Sequence, residues 1–130
     1  MNFYALFWRR KNSIEMHELS IAQEIVDIVN QHLPKEESNS VRSVKIAVGK
    51  MANILNDSLM FCFEVITANT NLQGVKLNIE NIPLVVLCTD CNEKSELEDT
   101  IFVCPKCNGF NLKILRGMEL NVIEIELNDK

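Results

Sequence analysis

The sequence is short of several things at once: four glycines, three prolines and two histidines in 130 residues. None of its apolar runs approaches the roughly 18 residues that a membrane span needs, so no membrane span is expected. The glycines (Gly49, Gly74, Gly109 and Gly117) form no G-x-x-x-x-G-K-[ST] loop to cradle phosphates, and nucleotide hydrolysis must therefore come from a partner. Neither His17 nor His32 falls near a Ser or Cys in a nucleophile–base arrangement, so covalent catalysis is unsupported and no enzyme is expected.

Positive charge is scarce too. The formal charge is −5, and the first fifteen residues hold Arg9, Arg10 and Lys11 against Glu15 alone. Residues 16–130 are left with ten basic and seventeen acidic side chains, net −7, which argues against a binder of nucleic-acid phosphates. The opening MNFYALFWRRK places its basic residues after its apolar run, the reverse of a signal peptide. These absences point to a soluble, cytoplasmic protein.

What is present begins with size: 130 residues, 47% of them hydrophobic, suffice for one domain or one domain carrying a small subdomain. From Glu18 to Leu33 the residues Ala22, Ile25, Val26, Val29 and Leu33 recur at three- and four-residue steps, the pattern of an amphipathic helix stopped by Pro34. Val44, Ile46 and Val48 then alternate with polar or small residues up to Gly49, predicting a half-buried strand. Asn56 or Asp57 is placed to cap a second helix through Leu59, Met60, Cys62, Phe63 and Ile66, followed by a strand with Val75, Leu77 and Ile79. In MELNVIEIEL, Met118, Leu120 and Val122 share one face while Ile123, Ile125 and Leu127 take the other phase, so a bulge or bend is expected near Val122. The fold class is α+β: two helices on a small three-stranded sheet, with an inserted zinc-ribbon-like subdomain. Residues 1–15 are an extension, 16–83 plus 117–130 the body, and 84–116 the insertion.

That insertion has little periodic apolar content outside Leu84 to Leu87 and Ile101 to Val103, so something other than a large core must hold it. Cys88-Thr-Asp-Cys91 and Cys104-Pro-Lys-Cys107 give C-x2-C-x12-C-x2-C, in which each short gap lets one turn aim two thiolates at one ion. Four soft thiolates favour tetrahedral zinc, and in a reduced compartment metal binding is a better account than disulfides. A redox dithiol lacks thioredoxin-like surroundings, and an iron–sulfur site usually carries its own spacing. With four protein ligands the ion keeps no open position, so this zinc is structural. The intervening Glu93-Lys94-Ser95-Glu96-Leu97-Glu98-Asp99 is acidic and would repel a phosphate backbone.

Met16-His17-Glu18 stands at the start of the first helix, where a single His is by default a cap or a surface residue. In a chain beginning at Met16, the α-amine, the His17 amide and imidazole and the Glu18 amide would offer four nitrogens in one chelating run. A planar set of four nitrogens suits Ni(II) or Cu(II).

MHELSIAQEIV, the strand ending at Gly49, FCFEVIT, the two CxxC pairs and GMELNVIEIEL together resemble the HypA family of hydrogenase nickel-insertion proteins, over Met16 to about Leu127. The resemblance implies a nickel metallochaperone that carries Ni(II) transiently and zinc structurally. Its partners would be a HypB-type GTPase and the hydrogenase large subunit, with urease as a second recipient in some relatives and a second copy of the chain as a further candidate partner. It implies nickel at Met16, His17 and Glu18, a carboxylate near that site at Asp57, and zinc at Cys88, Cys91, Cys104 and Cys107. The alternative is a zinc-ribbon protein or nucleic-acid interaction module without a nickel role, for which the body lacks a basic or aromatic face.

One departure stands out: MNFYALFWRRKNSIE precedes the MHE triplet, so Met16 has no free amine in the full chain. The extension holds Phe3, Tyr4, Phe7 and Trp8, half of the eight aromatics, with no helical or strand pattern joining it to the body. The expectation adopted is that translation starts at Met16 and that the extension is not native or is unstructured. His32, near the end of the first helix, is expected to cap it or face solvent, and Cys62 to act as a small buried hydrophobe.

Overall fold

The computed structural model describes residues 2–5, 18–33, 40–98 and 101–128. Among the described residues ten elements follow one another: β1 (Asn2–Ala5), α1 (Glu18–His32), β2 (Val41–Gly49), a 3-10 turn (Lys50–Ala52), α2 (Asn56–Thr67), β3 (Lys76–Ile82), β4 (Leu84–Cys88), β5 (Lys94–Leu97), β6 (Leu112–Arg116) and β7 (Leu120–Leu127).

The apolar stripe that defines α1 is what it buries: Ile21, Ala22, Ile25, Ile28 and Val29. In α2 the buried positions are Leu59, Phe63 and Thr67. Thr67 satisfies its hydroxyl by donating to the Phe63 carbonyl at 2.7 Å. These faces meet Val44, Ile46 and Val48 of β2, Leu77 of β3, and Leu120, Val122, Ile125 and Leu127 of β7 in one core. Each fully buried Leu, Ile or Phe contributes about 1.5–3 kcal/mol of transfer free energy.

The sheet order is β1-β7-β2-β3, with β2 central to the body. β2 and β3 pair in parallel from Ser43↔Lys76 to Gly49↔Ile82, so α2 is the crossover that parallel strands require. β7 returns antiparallel on the other side of β2. Its pairing passes from Lys45↔Glu124 to Ile46↔Val122, leaving Ile123 as the extra residue of a bulge. Val122 and Ile125 therefore both reach the core although they are three residues apart, which is the slip expected from the sequence; the second phase begins at Ile125 instead of Ile123.

Two local expectations need correction. Leu55, not Asn56 or Asp57, is the N-cap of α2, and no side chain caps it; Asn56 is the first helical residue and its side-chain Nδ2 donates to Asn81 Oδ1 at 3.2 Å. The extension also forms a strand where none was expected, with β1 pairing antiparallel to β7 from Asn2↔Leu127 to Ala5↔Glu124. An edge strand needs only a backbone ladder, so four residues without amphipathic alternation can supply it. Pro34 lies outside the described residues.

The chain leaves the body at Pro83 and re-enters at Gly117, and these two crossings are pressed together. A Cβ on Gly49 would lie 2.2 Å from the Gly117 carbonyl oxygen, and one on Gly117, where φ is +121°, 2.9 Å from Leu84 Cα. Gly49 donates to the Glu119 carbonyl at 2.7 Å and Met51 to the Gly117 carbonyl at 2.8 Å. Beyond this neck, β5-β4-β6 make a small antiparallel sheet. Its core is Leu84, Val86 and Leu97, with Phe102, Leu112, Ile114 and the body's own Met51 packed against it.

Candidate metal centres

All four Sγ atoms of Cys88, Cys91, Cys104 and Cys107 lie within 4.8 Å of one another. Cys88 and Cys107 approach to 3.6 Å and Cys91 and Cys104 to 3.7 Å. Disulfides would need about 2.05 Å. A zinc with bonds of about 2.3 Å spaces tetrahedral sulfurs about 3.8 Å apart, so the donor set fits zinc.

Two matching turns build this arrangement. Cys88 donates its N–H to the Glu93 carbonyl (3.0 Å) and its carbonyl accepts from Asn92 (2.8 Å); Cys104 donates to Gly109 (2.9 Å) and accepts from Asn108 (2.9 Å). Asn92 and Asn108 both take the left-handed conformation, at φ 59° and 61°. Asn tolerates that region better than most residues, which is why the same residue follows each pair. Asn108-Gly109 is legible in the sequence as turn chemistry after the second pair, whereas the matching role of Asn92 after the first is not. Asp90 ties the first turn to the second limb, accepting from Asn111 Nδ2 at 3.1 Å.

The turns also aim backbone N–H groups at the sulfurs. Those of Lys106 and Cys107 hold the Cys104 thiol down to about 7. Gly109 favours the Cys107 thiolate in the same way, but the neighbouring Cys88 sulfur and burial outweigh it and push Cys107 up to about 12. Glu93 favours the Cys91 thiolate, yet burial and the adjoining sulfurs leave Cys91 raised. Four crowded thiols cannot all ionise unaided, and a divalent cation at their centre removes that conflict.

The second candidate centre lies at the other end of the neck. Glu18, half-buried, opens α1, and Asp57, exposed, is the second residue of α2. Asn71, just beyond α2, donates to Asn30 Oδ1 in the last turn of α1 at 3.0 Å. The two packed helices therefore run in the same sense, and their starts share one end of the helical layer. This is the end where β2 and β3 finish at Gly49 and Ile82, facing the cysteine module. Met16 and His17 lie outside the described residues. His32 is exposed, as expected, and turns Nδ1 to the Ile28 carbonyl at 2.8 Å, whereas Cys62, expected to be buried, is half-buried against the core.

An α+β body carrying a four-cysteine knuckle module defines a metal-binding protein. The family described as "Hydrogenase/urease nickel incorporation, metallochaperone, hypA" matches residues 16–127, and the chain belongs to it. It is 41% identical over 115 residues to a hydrogenase maturation factor HypA from Desulfatibacillum aliphaticivorans, covering 88% of each chain. The corresponding factor from Desulfosudis oleivorans is 38% identical over 115 residues, 88% of this chain and 100% of the relative. In fold, the chain is similar to the solution structure of the Ni metallochaperone HypA from Helicobacter pylori, at a TM-score of 0.60 and 20% identity over 88% of this chain and 100% of that one. The function that follows from family membership is nickel delivery for hydrogenase maturation, with the cysteine cluster as a structural zinc site. No helix among the described residues is long and apolar enough to cross a membrane.

Proposed function

We propose that this protein holds its nickel cargo at Met16, His17 and Glu18, with the Asp57 carboxylate beside the site, while Cys88, Cys91, Cys104 and Cys107 hold zinc. The observation that carries this reading is the common end shared by the starts of α1 and α2, which puts Asp57 on the side from which Glu18 begins its helix. The first four N–H groups of a helix have no intrahelical acceptor. The Glu18 amide can therefore lose its proton to solvent and bind a metal through the freed nitrogen without costing the helix a hydrogen bond, and the His17 imidazole adds a nitrogen of a type that suits Ni(II).

A site made from a chain start can be dismantled by moving few residues, which suits a carrier that must select an ion and then release it. The protein itself catalyses no reaction. Its partners are a HypB-type GTPase, which supplies the nucleotide chemistry this chain lacks, and the hydrogenase large subunit; urease is a second recipient, and a homodimer is its own assembly. Its compartment is the cytoplasm. Titration of the zinc-loaded protein with Ni(II) tests the assignment: His17→Ala is expected to abolish stoichiometric binding and to leave zinc content unchanged. Undiminished nickel binding by that variant would place the cargo elsewhere.

A further inference from the structure

We propose that Asp90, bound to Asn111, is a positioning residue that holds Cys107 on the zinc and so governs how fast the ion leaves. The inference rests on the assignment of zinc to the four cysteines and adds a residue outside that set.

The four ligands are not equally protected. Cys88 and Cys104 are buried and Cys91 is half-buried, whereas Cys107 is exposed. An ion held by four protein ligands keeps no open position. A competing ligand must therefore displace one of the four, and the exposed sulfur is the one it reaches. How firmly the second turn holds Cys107 then sets the rate of release.

What holds that turn comes from the first one. Asn111 donates from Nδ2 to Asp90 Oδ1 at 3.1 Å and to Oδ2 at 3.2 Å. The Asn111 carbonyl accepts from the Thr89 N–H at 2.9 Å and from Thr89 Oγ1 at 3.1 Å. The chain just past Cys107 is thus strapped to the two residues that lie between Cys88 and Cys91. Gly109 is caught under this strap: a Cβ on it would stand 2.8 Å from Asp90 Oδ2 and 3.2 Å from Cys107 Sγ. Gly109 also points its N–H at that sulfur. Asp90 acts on Cys107 through Gly109, and partners that orient a metal ligand typically change affinity by roughly 10- to 100-fold.

The second pair has a counterpart that is weaker. Lys106, placed in its turn as Asp90 is in the first, reaches Glu93 across 3.7 Å with both side chains more than half exposed. An exposed ion pair of that length holds little. The Asp90 strap is also at the surface and adds little to overall stability, so its effect belongs to the motion of Cys107 and not to the melting midpoint.

Zinc transfer from the full chain to excess 4-(2-pyridylazo)resorcinol tests this. Zinc content is measured first, since a protein without zinc would overturn both the inference and the assignment beneath it. Asp90→Ala should release zinc roughly tenfold faster or more. Iodoacetamide should label Cys107 ahead of the other three ligands, and faster in the variant. Asp90→Asn keeps an oxygen for Asn111 and should stay close to the parent protein; Asn111→Ala should match Asp90→Ala, and Lys106→Ala should change little. Cobalt-loaded Asp90→Ala should keep the absorption of four-thiolate coordination. Unchanged release by Asp90→Ala would overturn the proposal, and so would equally fast release by Asp90→Asn, because charge and not the strap would then be at work. A cobalt spectrum that has lost a thiolate would overturn it too, since Asp90 would then be needed to build the site.

Discussion

Cys107 and Cys104 sit in one cluster yet are pulled in opposite directions, up to about 12 and down to about 7. Near neutral pH, Cys107 and the raised Cys91 keep their protons in the metal-free protein, and zinc must expel them. Zinc affinity should therefore rise with pH and fall on acidification, because protons compete at the thiols whose pKa values are raised. Calorimetric zinc titration in buffers of different ionisation heat should show release of at least about two protons at pH 7. Release of none would contradict the account. Replacing any one cysteine, for example Cys91→Ala, should remove zinc and unfold the module, a loss on the order of 10 kcal/mol of binding free energy. The four ligands were legible because their spacing alone imposes two turns on one ion. Asn108-Gly109 after the second pair is legible as turn chemistry, but Asn92 was not singled out, since its contribution is a backbone conformation that acquires meaning only beside the Cys88 carbonyl.

Among the elements, α1 and the bulge in β7 could be read directly, because apolar spacing reports on which face is buried. The cap of α2 could not: Asn56 has the right chemistry for a cap but is drawn to Asn81, a partner 25 residues away that local reasoning does not reach. β6 was equally hidden, since Leu112 to Arg116 carries no alternation strong enough to stand apart from its loop. The neck offers the sharpest structural test. A methyl group at Gly49 would collide with the Gly117 carbonyl, so Gly49→Ala should cost roughly 3 kcal/mol or more of stability, read as a fall in the denaturation midpoint. An unchanged midpoint would mean that the two crossings are not pressed together. Phe63→Ala, which empties part of the main core, should cost about 3–5 kcal/mol.

For the whole molecule, the division into two cores predicts two responses to chelation. Among the described residues, the body owns a core built from both helices and three strands, whereas the module has three buried apolar residues, Leu84, Val86 and Leu97, besides its two buried cysteines. A strong chelator should melt the module while the helical circular dichroism of α1 and α2 persists. Loss of both signals together would mean that Met51 and the neck bind the two parts into one cooperative unit. The proposed nickel site depends on this architecture, because only the assembled body brings the start of α2 to the end from which α1 begins. The sequence offered Glu18 and Asp57 but not the common end of the helices that carry them, which rests on the direction of two packed helices.

The most direct test of the central claim, that the start of α1 holds the cargo, is Ni(II) titration with absorption spectroscopy of two zinc-loaded chains, one beginning at Met16 and one at Met1. The account predicts stoichiometric binding with the spectrum of planar Ni(II) in the shorter chain, and loss of that spectrum in the longer one, where the Met16 nitrogen is a peptide amide. Identical planar binding by both would contradict it and move the site off the Met16 amine.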